Sequence, residues 1–325
     1  MTEPLPRIVF MGTPLFAVAS LRALHENGYP VACVVTVPDK PAGRGQKITT
    51  PAVKDYALDK GLPVLQPERL RDTGFINALK ELHADIFVVV AFRMLPEEVW
   101  SIPPYGTFNL HASLLPQYRG AAPINHAIFN GEAKTGVTTF LIDRDIDTGR
   151  ILLSKETEIL SSDNAGILHD RLMTAGAELV VETAKGLFQG KLKPVPQSSE
   201  PGTILHSAPK ILPSDTVVDW NEPAVRIHNK IRGLSPSPGA ATTIRSEGRT
   251  LRLKLFESRI VSEGANAAHG MKTLPGTIVV REKYRLCFAC GTGETEIISL
   301  QPEGRKRMTA AEFMRGFDLT GWAAI

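Results

Sequence analysis

Apolar and polar residues alternate in blocks along the first 190 residues. Short apolar runs of strand length are separated by stretches whose apolar residues recur every three or four positions, as in an amphipathic helix. Strands that alternate with helices indicate a mainly parallel sheet with helices on both faces. The predicted strands are 7–12, 31–37, 63–65, 85–91, 107–110, 136–142 and 150–158, and the predicted helices are 16–25, 53–60, 74–82, 96–100, 123–130 and 165–188. The expected fold is therefore α/β, with an open Rossmann-like sheet.

The turn after the first strand carries one glycine, Gly12, followed by Thr13 and Pro14. A strand, a glycine turn and a helix are typical of the opening of a nucleotide-binding fold. The dinucleotide fingerprint needs three glycines in G-x-G-x-x-G spacing, and this turn lacks the other two. Dinucleotide binding is therefore not expected.

A second pattern begins after residue 210. One helical stretch, 224–232, precedes five short apolar segments separated by turn residues, which is typical of a small β-barrel. The five segments are 241–245, 250–259, 276–281, 285–290 and 294–300. The segment before them is rich in proline and serine, which favours a linker. We expect an α/β domain over 1–190, a linker over 191–210 and a smaller OB-like domain over 211–325, and other small barrels fit the strand pattern equally.

Composition is that of an ordinary globular protein. Hydrophobic residues make up 43% and charged residues 22% of the chain. The longest apolar run, 86–92, is far shorter than the roughly 18 residues that suggest a membrane span. The first residues do not have the pattern of a signal peptide, so a cytoplasmic location without membrane contact is expected.

The three cysteines, Cys33, Cys287 and Cys290, are too few for a disulfide framework. The last two have C-x-x-C spacing, but no second pair and no histidines at ligand spacing lie nearby in the sequence to complete a zinc site. We therefore expect structural cysteines and no metal. Residues three apart in a strand face opposite sides, so one of this pair should be buried and the other not.

Positive charge is unevenly distributed. Residues 211–325 hold 16 Lys and Arg against 12 Asp and Glu, whereas the first 210 residues hold 21 against 22. So mild an excess fits a solvated surface as well as a nucleic-acid-binding face. The cations of interest there are Lys254, Arg305, Lys306 and Arg307.

A basic segment, 38–51, interrupts the strand and helix pattern of the first domain. It combines prolines and glycines with Lys40, Arg44 and Lys47. It is longer than most connections between elements, and loops of that length are commonly functional or mobile. The residues alone are compatible with a flexible surface loop or with a binding loop.

Polar residues suited to catalysis lie at the end of the strand 107–110. Asn109 and His111 are two positions apart, and alternate residues of a strand share a face. An amide donor beside an imidazole that can carry a proton near pH 7 suits acyl transfer to an amine. An acidic cluster that includes Asp147 follows the strand 136–142. Because open α/β sheets place their sites at strand ends, we expect these three residues to form one site.

The motifs around these residues resemble those of the folate-dependent formyltransferases. They read N-L-H-A-S-L-L-P over 109–116, R-G-A-A-P over 119–123 and D-T-G over 147–149. The segments 38–47 and 231–240 resemble the tRNA-contacting loop and the helix-to-strand joint of the second domain in members that act on tRNA. The similarity extends over nearly the whole chain.

The resemblance implies 10-formyltetrahydrofolate as co-substrate and methionine on initiator tRNA as acceptor, with no metal and a monomeric protein. It assigns oxyanion stabilisation and proton movement to Asn109, His111 and Asp147. It also places one set of residues along the folate pocket, namely Ser113, Leu114, Leu115 and Pro116. A third set is implied to contact tRNA, namely Lys40, Arg44 and Lys47.

Other activities are compatible with the same core. Relatives that formylate glycinamide ribonucleotide or an amino sugar, or that hydrolyse formyl-folate, share the Asn-His-Asp core, so the core leaves the acceptor open. A non-catalytic tRNA-binding protein is the alternative outside the enzymes, and the intact core argues against it. The chain departs from the family pattern at Asp145, where glycine is usual, at Phe92-Arg93, and at Ser237, where tryptophan is common.

Overall fold

The computed structural model describes residues 4–42, 47–200, 202–262, 273–282 and 284–325. The chain forms two compact units. The first contains the residues up to Pro123, Lys134–Glu158 and His169–Ala208, and the second contains Ile124–Ala133, Ile159–Leu168 and Pro209–Ile325. The domain boundaries expected at residues 190 and 211 stay a prediction.

The described residues of the first unit form nine strands. They are β1 (Ile8–Gly12), β2 (Val31–Val35), β3 (Lys40–Ala42), β4 (Lys47–Thr49), β5 (Val64–Leu65), β6 (Ile86–Val90), β7 (Thr107–His111), β8 (Lys134–Leu141) and β9 (Ile151–Glu158). Seven of them form a sheet in the order β5-β2-β1-β6-β7-β8-β9. The first five strands in that order run parallel, and β8 and β9 are each antiparallel to the preceding strand. The prediction of an open, mainly parallel sheet is confirmed.

Among the described residues, five helices alternate with these strands along the chain and a sixth follows β9. They are α1 (Leu15–Glu26), α2 (Ala52–Asp59), α3 (Thr73–Glu81), α4 (Glu97–Trp100), α5 (Pro123–Phe129) and α6 (Ala165–Phe188). The strands β1, β2 and β6 are buried at every position, which explains their unbroken apolar sequences. On one face of the sheet, Met11 and Val89 belong to the same core cluster as Phe75 and Leu79 of α3. None of the helices among the described residues has the combined length and apolarity needed to cross a bilayer.

The basic segment expected as a loop contains a short hairpin. Pro41 of β3 pairs with Ile48 of β4 in a separate two-stranded sheet. Each strand of such a sheet has one free edge, where a proline without an N–H group is tolerated. Because prolines and glycines are typical of loops, the sequence pattern did not reveal these two short strands.

The second unit is a nearly closed antiparallel barrel. Its strands are β10 (Ala240–Ser246), β11 (Arg249–Ser262), β12 (Ile278–Arg281), β13 (Arg285–Ala289), β14 (Glu294–Pro302), β15 (Met308–Thr309) and β16 (Ala323–Ala324), and its further helices are α7 (Ala224–Gly233) and α8 (Ala310–Arg315). The order is β12-β13-β14-β11-β10-β16, with β15 beside β14. Thr277, just before β12, forms a bridge with Ala323 of β16, which brings the two ends of the sheet together. The predicted smaller barrel domain is confirmed.

The barrel encloses its own apolar core, in which the rings of Trp220 and Phe288 stack 4.3 Å apart. Cys287 and Cys290 are both fully buried, so the prediction that one would be exposed is wrong. Cys287 lies opposite Glu296 on β14, a buried glutamate whose carboxylate accepts a hydrogen bond from Arg285. Cys290 follows the last residue of β13 and its Sγ lies 3.3 Å from Thr295 Oγ1. Burial raises the pKa of Cys287 to about 11.

Candidate functional site

Asn109 and His111 lie at the carboxyl end of β7, between β6 and β8 in the first unit's sheet. Asn109 pairs with Val89 of β6 on one side and with Phe140 of β8 on the other. The register of β7 is unbroken, so the period of the strand puts Asn109 and His111 on the same face. His111 is buried and Asn109 is half-buried.

The hydrogen bonds of His111 fix which ring nitrogen is available. Nε2 lies 2.8 Å from the carbonyl oxygen of Tyr118. A carbonyl can only accept, so Nε2 carries a hydrogen and Nδ1 is the nitrogen left for chemistry. Nδ1 lies 3.7 Å from Oδ2 of Asp147, and the two side chains are 7% and 13% exposed. A second proton on His111 would therefore sit on Nδ1, beside the carboxylate.

Asp147 lies in a tightly constrained loop. Its φ of 56° is in the left-handed region, which aspartate tolerates better than most residues. Its Oδ2 accepts a hydrogen bond of 2.9 Å from the backbone N–H of Gly120. A side chain at Gly149 would place Cβ 1.7 Å from the carbonyl oxygen of Leu141, so the glycine of D-T-G is required for close backbone approach.

Thr138 of β8 anchors the loop after β7 through two hydrogen bonds. Its hydroxyl donates to the carbonyl oxygen of Ser113 at 2.7 Å and accepts from the N–H of Leu115 at 3.2 Å. The Ser113 hydroxyl donates to the carbonyl oxygen of Gln117, so that group is used within the loop. Ser113 and Leu115 are buried, whereas Leu114 and Pro116 are half-buried.

A residue that sequence reasoning missed contacts the Asp147 loop. Nε2 of Gln197 donates to the carbonyl oxygens of Asp147 and Gly149, each at 2.8 Å. Its Oε1 accepts from Nε and Nη2 of Arg119, at 3.1 and 2.7 Å. Gln197 belongs to the segment predicted as a linker, where proline and serine gave no pattern that points to a site.

Arg93, at one of the departures from the family pattern, joins two loops at strand ends. Its guanidinium donates to the carbonyl oxygens of Pro67 and Glu68, at 2.8 and 3.0 Å. The guanidinium also lies over the ring of Phe92, 5.3 Å from its centroid. Burial lowers the pKa of Arg93. The loop that follows β6 is thus tied to the segment that follows β5.

Two of the three predicted tRNA-contacting residues begin strands of the β3–β4 hairpin, Lys40 in β3 and Lys47 in β4. Lys40 is exposed there, Arg44 lies outside the described residues, and only the backbone of Lys47 is described. The base of the hairpin is anchored by Asp39, which accepts from Lys54 Nζ at 2.6 Å and from Gln66 Nε2 at 2.8 Å. The hydrogen bonds from Lys54 and Gln66 lower the pKa of Asp39.

The cations of interest in the second unit differ in how far they are anchored. Lys254 donates to the carbonyl oxygen of Pro238 at 3.0 Å. Arg307 donates to Ser299 and stacks 4.6 Å from the centroid of Phe256. Arg305 and Lys306 are exposed.

Comparisons with known proteins match both units. The profile of the formyl transferase family matches residues 6–184, and that of the formyl transferase C-terminal domain matches residues 210–318. The methionyl-tRNA formyltransferase of Bacteroides fragilis is 49% identical over 316 residues, which cover 97% of this chain and 96% of the relative. The corresponding protein of Flavobacterium johnsoniae is 45% identical over 319 residues, or 98% of each chain.

Solved structures of similar fold are more distant in sequence. HypX from Aquifex aeolicus gives a TM-score of 0.63 at 20% identity, over 98% of this chain and 48% of HypX. An N-formyltransferase from Helicobacter canadensis, solved with folinic acid and dTDP-3-aminofucose, gives 0.61 at 19% identity, over 90% of this chain and 99% of that enzyme. At such identity these structures show a shared fold.

Proposed function

Since the chain belongs to the formyl transferase family, we propose that it transfers the formyl group of 10-formyltetrahydrofolate to the amino group of methionine on initiator tRNA. The choice of acceptor is supported by the near full-length similarity to methionyl-tRNA formyltransferases. The chemistry is supported chiefly by one observation, the buried His111 whose Nδ1 faces Asp147 at the end of the strand that carries Asn109.

In the proposed reaction the methionine amine attacks the formyl carbon and the carbonyl oxygen becomes a tetrahedral oxyanion. The Asn109 amide and the protonated His111 imidazole donate hydrogen bonds to that oxygen. Nε2 of His111 is committed to Tyr118, so the proton that serves the reaction is the one on Nδ1. The negative charge of Asp147 attracts the imidazolium at that nitrogen.

The second half of the reaction moves a proton. The bond between the formyl carbon and the folate nitrogen breaks as the oxyanion collapses. Asp147 helps to carry the proton lost by the attacking amine to the folate nitrogen that leaves. The hydrogen bond from Gly120 keeps the carboxylate in place during this transfer.

The remaining roles follow the family resemblance. The loop of Ser113, Leu114, Leu115 and Pro116 lines the folate pocket. Lys40, Arg44 and Lys47 of the hairpin region engage tRNA phosphates, which makes tRNA binding sensitive to salt. Residues 1–190 form the catalytic domain and 211–325 form the tRNA-binding domain. The protein acts as a monomer in the cytoplasm, where its acceptor would be found.

A comparison of three acceptors tests this function. Formyl transfer from 10-formyltetrahydrofolate is measured with methionyl initiator tRNA, methionyl elongator tRNA and glycinamide ribonucleotide. We expect formylation of the initiator alone. A preference for the small acceptor would keep the chemistry and refute the tRNA assignment, and no transfer to any of them would favour the non-catalytic tRNA-binding protein.

A further inference from the structure

We infer that Gln197 is a positioning residue that holds Asp147 in its reactive geometry. This inference rests on the proposed function, because it concerns the same carboxylate. One side-chain amide group donates to two backbone carbonyls, those of Asp147 and Gly149, at 2.8 Å each. Two bonds from one nitrogen fix the peptide group that follows Asp147 and the one that follows Gly149.

The Asp147 loop needs such support. Asp147 has left-handed backbone geometry, and its neighbours Asp145 and Ile146 are exposed, with Ile146 at 62%. Within the loop, the carboxylate of Asp143 accepts from Thr148 Oγ1 at 2.7 Å. This contact joins residues of the same loop, whereas Gln197 lies 50 positions further along the chain and adds an anchor from outside it.

Gln197 is also connected, through Arg119, to Gly120, which binds the side chain of Asp147. Its Oε1 accepts both hydrogen bonds from Arg119, the residue before Gly120. The N–H of Gly120 in turn donates to the carboxylate of Asp147. Asp147 is thus held through its backbone by Gln197 and through its side chain by Gly120, and Arg119 connects the two anchors.

The segment that follows Gln197 supports the loop after β7, which contains Tyr118, Arg119 and Gly120. The N–H of Tyr118 donates to the carbonyl oxygen of His206 at 2.7 Å, and the N–H of Ala208 donates to that of Arg119 at 2.8 Å. Tyr118 supplies the carbonyl that binds His111. A side chain at Gly120, whose φ is +125°, would place Cβ 2.5 Å from the carbonyl oxygen of Ala208. Gln197, His206 and Ala208 therefore hold the groups that bind His111 and Asp147.

The substitution Gln197→Met removes the hydrogen bonds and keeps the length of the side chain. We expect kcat for methionyl-tRNA to fall about ten- to a hundredfold, the loss typical of a small misplacement of reacting groups, with KM for 10-formyltetrahydrofolate unchanged. The matched control is Gln189→Met, a half-buried glutamine of the same unit. Gln197→Glu, which keeps the acceptor for Arg119 and loses the donors, should be at least as slow as Gln197→Met.

A double-mutant cycle separates positioning from general damage. If Gln197 acts through Asp147, Gln197→Met should slow an Asp147→Asn enzyme by less than about threefold, because coupled residues are not additive. The same loss in both backgrounds, or wild-type kcat for Gln197→Met, would overturn the inference.

Hydrogen exchange provides a test that does not depend on the formyl acceptor. Gln197→Met should speed exchange of the Gly120 amide, whose partner is Asp147, about tenfold, and Gln189→Met should not. Unchanged exchange at Gly120 would overturn the inference. A wild-type enzyme that formylates no methionyl-tRNA would refute the proposed function instead, and the exchange result would still decide the role of Gln197.

Discussion

Replacing Asp147 with asparagine removes one negative charge from the site with little change of shape. The asparagine oxygen can still accept the hydrogen bond from the Gly120 N–H, so the loop should keep its conformation. In the proposed mechanism, the substitution removes the attraction between the carboxylate and the imidazolium of His111, together with the group that carries the proton.

The size of the loss follows from the distance of 3.7 Å between His111 Nδ1 and Asp147 Oδ2. Coulomb's law gives about 1 kcal/mol for two charges at this distance with the screening of bulk water, and about 4.5 kcal/mol at an effective dielectric constant of about 20. Both side chains are largely buried, so the attraction between the two charges lies inside this range rather than at its aqueous limit. A loss of about 3 kcal/mol corresponds to roughly a hundredfold slower reaction.

Single-turnover transfer with enzyme in excess measures the chemical step directly, and a folate-binding titration measures the ground state. We expect Asp147→Asn to react about a hundredfold slower with 10-formyltetrahydrofolate binding unchanged. The control is Asp145→Asn, an exposed aspartate of the same loop, which should react at the wild-type rate. An Asp147→Asn enzyme within about threefold of wild type would refute the electrostatic reasoning.

Three further predictions concern other parts of the molecule. Asn109→Ala should lower single-turnover transfer about a hundredfold without weakening folate binding, and near wild-type turnover would remove Asn109 from the mechanism. Lys54→Met breaks the contact with Asp39 at the hairpin base, so steady-state kinetics should show KM for methionyl-tRNA roughly two- to fivefold higher; an equal rise in KM for the folate would contradict a role confined to the hairpin. Burial, with the nearby charge of Arg232, lowers the pKa of His228 from 6.5 to about 4. The unfolded chain therefore binds a proton below pH 6.5 that the folded protein excludes, and stability falls as the pH drops from 7 to 4. Urea unfolding should show that His228→Asn avoids about 2 kcal/mol of the loss between pH 7 and pH 4.5, and equal losses in both proteins would contradict this assignment.

The elements with a long, regular pattern were predictable from the sequence. α6 was predicted over residues 165–188 and forms over Ala165–Phe188, because 24 residues give the helical period many repeats. β16 is two residues long and carries no period, yet Ala323 bridges Thr277 and brings the ends of the barrel together. Elements of that size are determined by pairing with distant strands, which a local pattern cannot reveal.

The same contrast applies to the site. The period of β7 and the position of Asp147 after β8 were enough to bring His111 and Asp147 into one expected site, and the two side chains lie 3.7 Å apart. Gln197 could not be found in this way, because it contacts a carbonyl 50 positions earlier and lies among prolines and serines. Its partners at Asp147 and Gly149 are backbone carbonyl oxygens. Every residue type has this group, so the sequence does not indicate the contact.

The fate of the formyl carbon is the most direct measurement of the proposed reaction. 10-Formyltetrahydrofolate labelled with carbon-13 in the formyl group is incubated with methionyl initiator tRNA and either the wild-type or the Asp147→Asn protein. The aminoacyl ester is then hydrolysed and the amino acid is analysed by mass spectrometry. We predict labelled N-formylmethionine from the wild type, formed about a hundredfold more slowly by the variant. Label that appears only as free formate, or on another amine, would contradict formyl transfer to methionyl-tRNA.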